Sequence, residues 1–147
     1  FNPCEIRQTF EKLFLEFPPI VLGSTIETLR VLKDRGYTIS IGSNTNFISG
    51  TVLGQILENH VPFEFKIFSD LSAHSKPHPG FFNEILDNSR AVKTQTNPEG
   101  RRFIERSNIL HVGDNLICDG QGANDAGMDF FYVKSPKDIP LLMDQKL

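Results

Sequence analysis

The sequence has little cysteine, no long apolar run and no concentration of basic residues. Its two cysteines, Cys4 and Cys118, are too few for a disulfide scaffold and lack the spacing of metal ligands, so we expect a reducing, cytoplasmic setting. No apolar run approaches the roughly 20 residues that a membrane span needs, and the start lacks the basic-then-apolar order of a signal peptide. No membrane partner is expected.

Acidic and basic residues are mixed along the chain, and the net charge is -3. Binding to the phosphate backbone of a nucleic acid requires a basic stripe, so no nucleic-acid partner is expected. The 147 residues are 39% apolar and include 13 Phe, which is enough for one domain with a hydrophobic core.

The spacing of apolar residues predicts helices that alternate with strands. Helices are predicted over 5–16, ended by two prolines, and over 25–36, capped by Ser24 and stopped by Gly36. The further predicted elements are a strand over 37–42, a helix over 47–60, a strand over 63–70, a helix over 79–89, a loop over 90–106 with a short helical piece near Phe103 and Ile104, a strand over 108–114, a helix over 119–128, a strand over 129–133 and a short helix over 136–145.

This alternation is typical of an α/β fold, a three-layer Rossmann-like parallel sheet with right-handed crossovers. In such a sheet the ligand site lies at the carboxyl ends of the strands. Polar residues follow three of the predicted strands there: Ser43 and Asn44, Ser69 and Asp70, and Asp114 after Gly113.

Each of these candidates also has an ordinary structural explanation. Ser43 and Asn44 suit any turn after a strand, and Lys76 would usually be a solvated loop lysine. Asp114 and Asp119 could serve as a loop cap and a helix N-terminal charge. Together they fit phosphoryl transfer, which needs donors for the phosphate oxygens, a cation and usually Mg²⁺ on hard oxygen ligands.

Three stretches, "ISIGSN", "SKPHPGFF" and "ILHVGDNLICDGQGANDAGM", resemble the second, third and fourth motifs of the haloacid dehalogenase superfamily. The resemblance runs from about Leu22 to Val133. It implies a HAD-like α/β hydrolase, most often a Mg²⁺-dependent phosphatase whose substrate is a small phosphorylated molecule.

The resemblance also implies roles for the candidate residues. Ser43 would hydrogen-bond the phosphoryl group, and Asn44 would shape the turn that binds it. Lys76 would bridge the nucleophilic carboxylate and the phosphate. Asp114 would bind Mg²⁺, and Asp119 would complete the acidic cluster as a metal ligand or as a partner of Lys76.

The family's first motif, D-x-D, is absent from this sequence. In the family it supplies the nucleophile and the general acid, from a central strand between those that correspond here to 37–42 and 108–113. Its absence predicts a split sheet, in which these two strands either pair directly or leave open edges. We expect a fragment, inactive alone, in which residues 1–19 are the tail of a helical cap and 20–147 the core, completed by the missing segment or another chain.

Two alternatives remain open at this stage. A non-catalytic HAD-like module, which binds phosphate or a partner, would explain the missing nucleophile. A receiver-like switch domain also needs clustered acids and a lysine, but its acidic pair should fall early in the chain.

Overall fold

The computed structural model describes residues 2–96 and 103–145, which form an α/β fold. The helices and strands are α1 (Pro3–Glu16), α2 (Gly23–Asp34), β1 (Ile41–Ser43), α3 (Gly50–Glu58), β2 (Lys66–Phe68), α4 (Pro79–Thr96), β3 (Leu110–Gly113), α5 (Gly122–Asp125) and β4 (Asp129–Tyr132). Two 3₁₀ helices cover Arg106–Asn108 and Pro136–Asp144, and a π-helix covers Leu116–Gln121. None of the helices in the described part of the chain is long and apolar enough to cross a membrane.

The strands form two separate parallel pairs. In one pair β1 lies beside β2, with Ile41 opposite Lys66, and in the other β3 lies beside β4, with Leu110 opposite Asp129. No ladder joins β1 to β3 within the described residues. The expected split of the sheet is therefore present, in the form that leaves open edges.

The open edge of β1 can be located from its hydrogen bonds. The amide of Ile41 donates to the carbonyl of Phe65 (3.2 Å), and the carbonyl of Ser43 accepts from the amide of Ser69 (3.0 Å). Backbone groups alternate in direction along a strand, so those of Gly42 point away from β2.

The same alternation locates the open edge of β3. The carbonyls of Ile109 and Gly113 accept hydrogen bonds from β4 and from the residue after it, at 3.1 and 2.9 Å. Leu110 and Val112 alternate with them and point their backbone groups away from β4. Within the described part of the chain, the two half-sheets thus present edges without a neighbouring strand, one on β1 and one on β3.

The core lies where α4 packs across both half-sheets. Phe81 and Phe82 of α4 are fully buried, and they contact Ile67 of β2 in a cluster that reaches α5. The buried members of this cluster are Ile67, Phe81, Phe82, Ile85, Leu86, Ala123 and Met128. This packing fixes the position of the loop that precedes α4, and that loop carries Lys76.

The start of α2 differs from the prediction. The helix is capped by Leu22, without a side-chain hydrogen bond, so the prediction that Ser24 caps it is wrong. Ser24 lies in the first turn, where its carbonyl accepts from the hydroxyl of Thr28 (2.8 Å). The predicted stop is confirmed: Gly36 has a φ of 89°, the left-handed conformation that follows many helices.

The predicted loop over 90–106 is partly helical. Helix α4 continues through Thr96, and its polar side chains bond to its own backbone: Ser89 donates to the carbonyl four residues before it (2.8 Å), and so does Thr94 (2.9 Å). The helical piece expected at 103–104 forms instead at Arg106–Asn108. Residues 97–102 of this loop lie outside the described residues.

The segment after β3 also differs, since its helix begins before the predicted 119–128. Asn115 caps this segment with its side-chain oxygen, which accepts from the amides of Ile117 (3.0 Å) and Cys118 (2.8 Å). The π-helix and α5 then follow in continuous sequence. This early turn brings Asp119 back under the end of β3.

Candidate active site

Asn44 and Lys76 are joined by a pair of hydrogen bonds. The side-chain amide of Asn44 donates to the carbonyl of Lys76 (2.8 Å), and its oxygen accepts from the amide of Lys76 (2.8 Å). Both groups are partly buried. Asn44 therefore holds the backbone of Lys76 at the end of β1. The sequence predicts that Asn44 shapes the turn after β1, but not that it contacts Lys76. Ser43 lies at the same strand end, where its hydroxyl donates to the carbonyl of Asn44 (3.3 Å).

The side chain of Lys76 connects the two half-sheets. Its ammonium donates to the carbonyl of Gly42 on β1 (2.9 Å) and to Oδ1 of Asp119, after β3 (2.6 Å). The carbonyl of Gly42 is one of the groups at the open edge of β1. An ammonium has three N–H donors, so two are used by these contacts.

Asp119 is buried and accepts three hydrogen bonds. Oδ1 accepts from Lys76 and from Nε2 of His111 (2.9 Å), and Oδ2 accepts from the amide of Asn115 (3.0 Å). Burial raises the pKa of the Asp119 carboxyl, but the hydrogen bonds from His111 and Lys76 and the charge of Lys76 outweigh it. The pKa of Asp119 therefore lies well below its ordinary value, and the group is ionised.

Gly113 allows Asp119 to approach the end of β3. A Cβ atom at position 113 would overlap Cγ, Oδ2 and Cβ of Asp119. Position 113 therefore requires glycine because the Asp119 side chain leaves no room for a Cβ atom.

Asp114 occupies a different environment from Asp119. It is exposed at the end of β3, and no hydrogen bond or ion pair of the described residues joins it to Lys76 or Asp119. Carboxylate oxygens suit Mg²⁺, and Oδ2 of Asp119 keeps one acceptor position. The described ranges contain no group of three or more His, Cys, Asp or Glu side chains that could hold a metal ion. The donor type thus fits Mg²⁺, and further ligands would come from water, substrate or residues outside this chain.

Asp70 supports the loop between β1 and α3 from the end of β2. Its carboxylate accepts from the amide of Gly50 (3.0 and 3.2 Å) and from the hydroxyl of Thr45 (2.8 Å). The hydroxyl of Ser69 accepts from the amide of Thr45 (2.9 Å). Burial raises the pKa of Asp70, but these hydrogen bonds outweigh it, so its pKa is lowered. The polar end of β2 therefore holds the loop that follows Ser43.

Sequence reasoning missed His111 as a residue of this site. The available signal was one histidine within the apolar strand "NILHVGD". Its contact with Asp119 spans eight residues and depends on the turn after β3, which the sequence pattern does not specify.

The partly buried ammonium of Lys76 lies between the two parallel half-sheets, beyond the carboxyl end of β1, and open α/β sheets bind their ligands at the carboxyl ends of their strands. Comparison with known families identifies the class. The chain belongs to the haloacid dehalogenase-like hydrolases, whose family model matches residues 5–127.

Two curated relatives extend this comparison. The chain is 31% identical over 126 residues to human "Haloacid dehalogenase-like hydrolase domain-containing protein 3", a match that covers 84% of this chain and 44% of the relative. It is 30% identical over 69 residues to "Probable phosphatase IndB" of Dickeya dadantii (strain 3937), covering 47% of this chain and 30% of that protein. The chain thus spans less than half the length of these relatives.

Two solved structures share the fold. A HAD phosphatase from Thermococcus onnurineus superposes with a TM-score of 0.65 at 20% identity, covering 91% of this chain and 64% of that one. The HAD-hydrolase YfnB from Bacillus subtilis, whose structure is described as bound to magnesium, superposes with a TM-score of 0.63 at 18% identity, covering 86% and 51%. The predicted HAD-like α/β fold is confirmed.

Proposed function

We propose that this chain is the supporting part of a Mg²⁺-dependent phosphatase that acts on a small phosphorylated molecule. The observation that carries the proposal is the partly buried ammonium of Lys76, held between Gly42 and Asp119 with one donor left for a phosphate oxygen. The partial match to a protein named as a probable phosphatase supports it. We also propose a cytoplasmic setting, since Cys4 and Cys118 are both free.

In the proposed reaction, an aspartate outside this chain attacks the phosphorus atom. The bond from phosphorus to the leaving-group oxygen breaks, and that oxygen takes up a proton from the second aspartate of the missing D-x-D motif. Water then loses a proton to the same aspartate and attacks the phosphorus of the aspartyl-phosphate, whose bond to the carboxylate breaks, and phosphate is released. Two easier displacements thus replace one difficult one.

The residues of this chain would hold the phosphoryl group during both steps. Ser43 would donate its hydroxyl to a phosphoryl oxygen, and Lys76 would donate its remaining N–H and balance developing negative charge. Asn44 would keep Lys76 in place through the two hydrogen bonds to its peptide. Mg²⁺ would supply further positive charge, held by Asp114 with Asp119 as a second ligand through Oδ2.

We further propose that one extended segment completes the sheet between β1 and β3. The backbone groups of Gly42 on one edge, and of Leu110 and Val112 on the other, support a strand between them. A segment that precedes this chain in a longer protein is the occupant that we propose, since the human relative is more than twice as long as the match. A second copy of this chain is the alternative that the test below separates.

The test of the missing strand compares amide hydrogen exchange in this chain and in one extended upstream through a D-x-D strand. We expect the amides of Leu110 and Val112 to exchange more slowly in the extended chain, while that of His111, already paired with β4, changes little. Slow exchange of Leu110 and Val112 in this chain that depends on its concentration would favour a second copy. Equal exchange in both chains, at all concentrations, would contradict the proposal.

Residues 1–19 are proposed as the tail of a cap that covers the site. Phe10 of α1 packs edge-on against Phe47 of the loop after β1, with ring centroids 5.2 Å apart, and Glu11 accepts from the amide of Ser49 (2.8 Å). Helix α1 keeps further apolar side chains exposed, among them Leu13. Residues 20–147 would then be the core.

Hydrolysis of p-nitrophenyl phosphate with and without Mg²⁺ tests the proposed activity. We expect turnover by the extended chain, dependent on Mg²⁺, and none by this chain. Lys76→Met should abolish turnover in the extended chain, whereas Lys134→Met, at an exposed lysine, should leave it unchanged. A folded extended chain that binds Mg²⁺ without turnover would favour the non-catalytic module.

A further inference from the structure

His111 is a buried polar residue to which the proposed reaction gives no role. It lies in the middle of β3 and is 8% exposed. Its ring contacts Phe82 edge-on, with ring centroids 5.4 Å apart. It also lies roughly parallel to the ring of Phe130, with centroids 6.5 Å apart. An apolar side chain would suit these neighbours better, so the imidazole needs another explanation.

The hydrogen bond of His111 has a defined direction. Its Nε2 lies 2.9 Å from Oδ1 of Asp119. An ionised carboxylate can only accept, so Nε2 carries the hydrogen and donates it. The contact is therefore a directed bond from β3 to the carboxylate.

The same oxygen also accepts from Lys76, and this sharing restricts the carboxylate. Oδ1 receives one donor from His111 on β3 and one from Lys76 on the loop before α4. A carboxylate oxygen has about two acceptor positions, so these donors fill Oδ1, while Asn115 holds Oδ2. Rotation of the carboxylate would break at least one bond, so its orientation determines where the ammonium lies.

We propose that His111 is a positioning residue, which orients Asp119 and through it holds the ammonium of Lys76 toward the open edge of β1. This inference depends on the proposed function in one respect only, namely that Lys76 contacts the phosphate of a substrate. The effect of His111 on Lys76 can be measured in this chain without any reaction.

The experiment follows proton exchange of the Lys76 ammonium by ¹⁵N NMR in lysine-labelled chain, with Lys76→Arg to assign the signal. His111→Leu keeps an apolar side chain but removes the donor, and we expect faster exchange. His111→Gln keeps an N–H near the position of Nε2 and should restore slow exchange. Leu86→Ala, in the same core cluster, is the control for a general loss of packing and should not change the signal.

Two results would overturn the proposal. One is unchanged Lys76 exchange in His111→Leu, and the other is equal acceleration in His111→Leu, His111→Gln and Leu86→Ala, which would mean that His111 only fills the core. In the extended chain we expect His111→Leu to lower kcat about tenfold with little change in KM, and His111→Gln to recover most of it. If no extended chain hydrolyses a phosphate ester, the proposed function fails, and the exchange measurement still decides the role of His111.

Discussion

The turn at Asp114 and the buried cluster around Asp119 lie in one short segment after β3, and they differ in solvent exposure and bonding. Asp119 is 4% exposed and accepts from Lys76, His111 and Asn115, whereas Asp114 is exposed. Two aspartates five residues apart therefore take different roles from their surroundings. The buried carboxylate fixes its neighbours in place, and the exposed one is available to a ligand.

Replacement of the two acids gives the largest test of this comparison. Asp119→Asn leaves the Lys76 ammonium, with a side chain 10% exposed, without its counter-charge. We expect the free energy of unfolding to fall by about 3 kcal/mol. Asp114→Asn should change it by less than about 0.5 kcal/mol. Urea unfolding measures both, and equal losses would break the comparison.

Removal of the clamp on Lys76 tests whether the buried cluster needs support from β1. Asn44→Ala loses two hydrogen bonds to the peptide of Lys76, so we expect a loss of about 1–2 kcal/mol in urea unfolding. Asn46→Ala, at an exposed asparagine of the same loop, is the matched control and should change little. Similar losses in the two variants would mean that the clamp does not stabilise the fold.

Acid should weaken the buried cluster around Asp119. The pKa of Asp119 is lowered from 3.8, so below that pH the unfolded chain takes up a proton that the folded chain does not. The free energy of unfolding should therefore begin to fall as the pH drops below about 5, and for this one group the loss should approach about 1.4 kcal/mol per pH unit below pH 3.8. Unfolding midpoints across this range should fall less steeply in Asp119→Asn. Parallel curves would contradict the assigned ionisation.

An exposed ion pair should give the smallest effect. Arg7 lies 3.2 Å from Glu11 on α1 and 3.9 Å from Asp70, and its side chain is 44% exposed. Solvent weakens such pairs, so Arg7→Gln should cost about 0.5 kcal/mol or less, and added salt should reduce the difference. A loss above about 1 kcal/mol would mean that α1 is anchored more strongly than its exposure indicates.

The alternation of elements and the order of the site residues could be predicted from sequence. Helical spacing and β-branched strands identify the α/β fold. The carboxyl ends of parallel strands predict that Ser43, Lys76 and Asp114 lie at one edge, and this placement of the three side chains stays a prediction. Strand length could not be predicted, because β1 pairs on one side only and its ladder covers three residues. The role of His111 could not be predicted either, because its contact with Asp119 depends on the turn after β3 that Asn115 caps.

Gly113 has a consequence for how this sequence can vary. Its φ is not positive, so its backbone is open to any residue, yet even a methyl group at this position would overlap the carboxylate of Asp119. In a library of random variants selected for folded chains, position 113 should return glycine alone. Gly36, which is constrained by its φ of 89° with open space around it, should also admit asparagine. The residues accepted at the two positions would thus distinguish a glycine required by lack of space from one required by its backbone conformation.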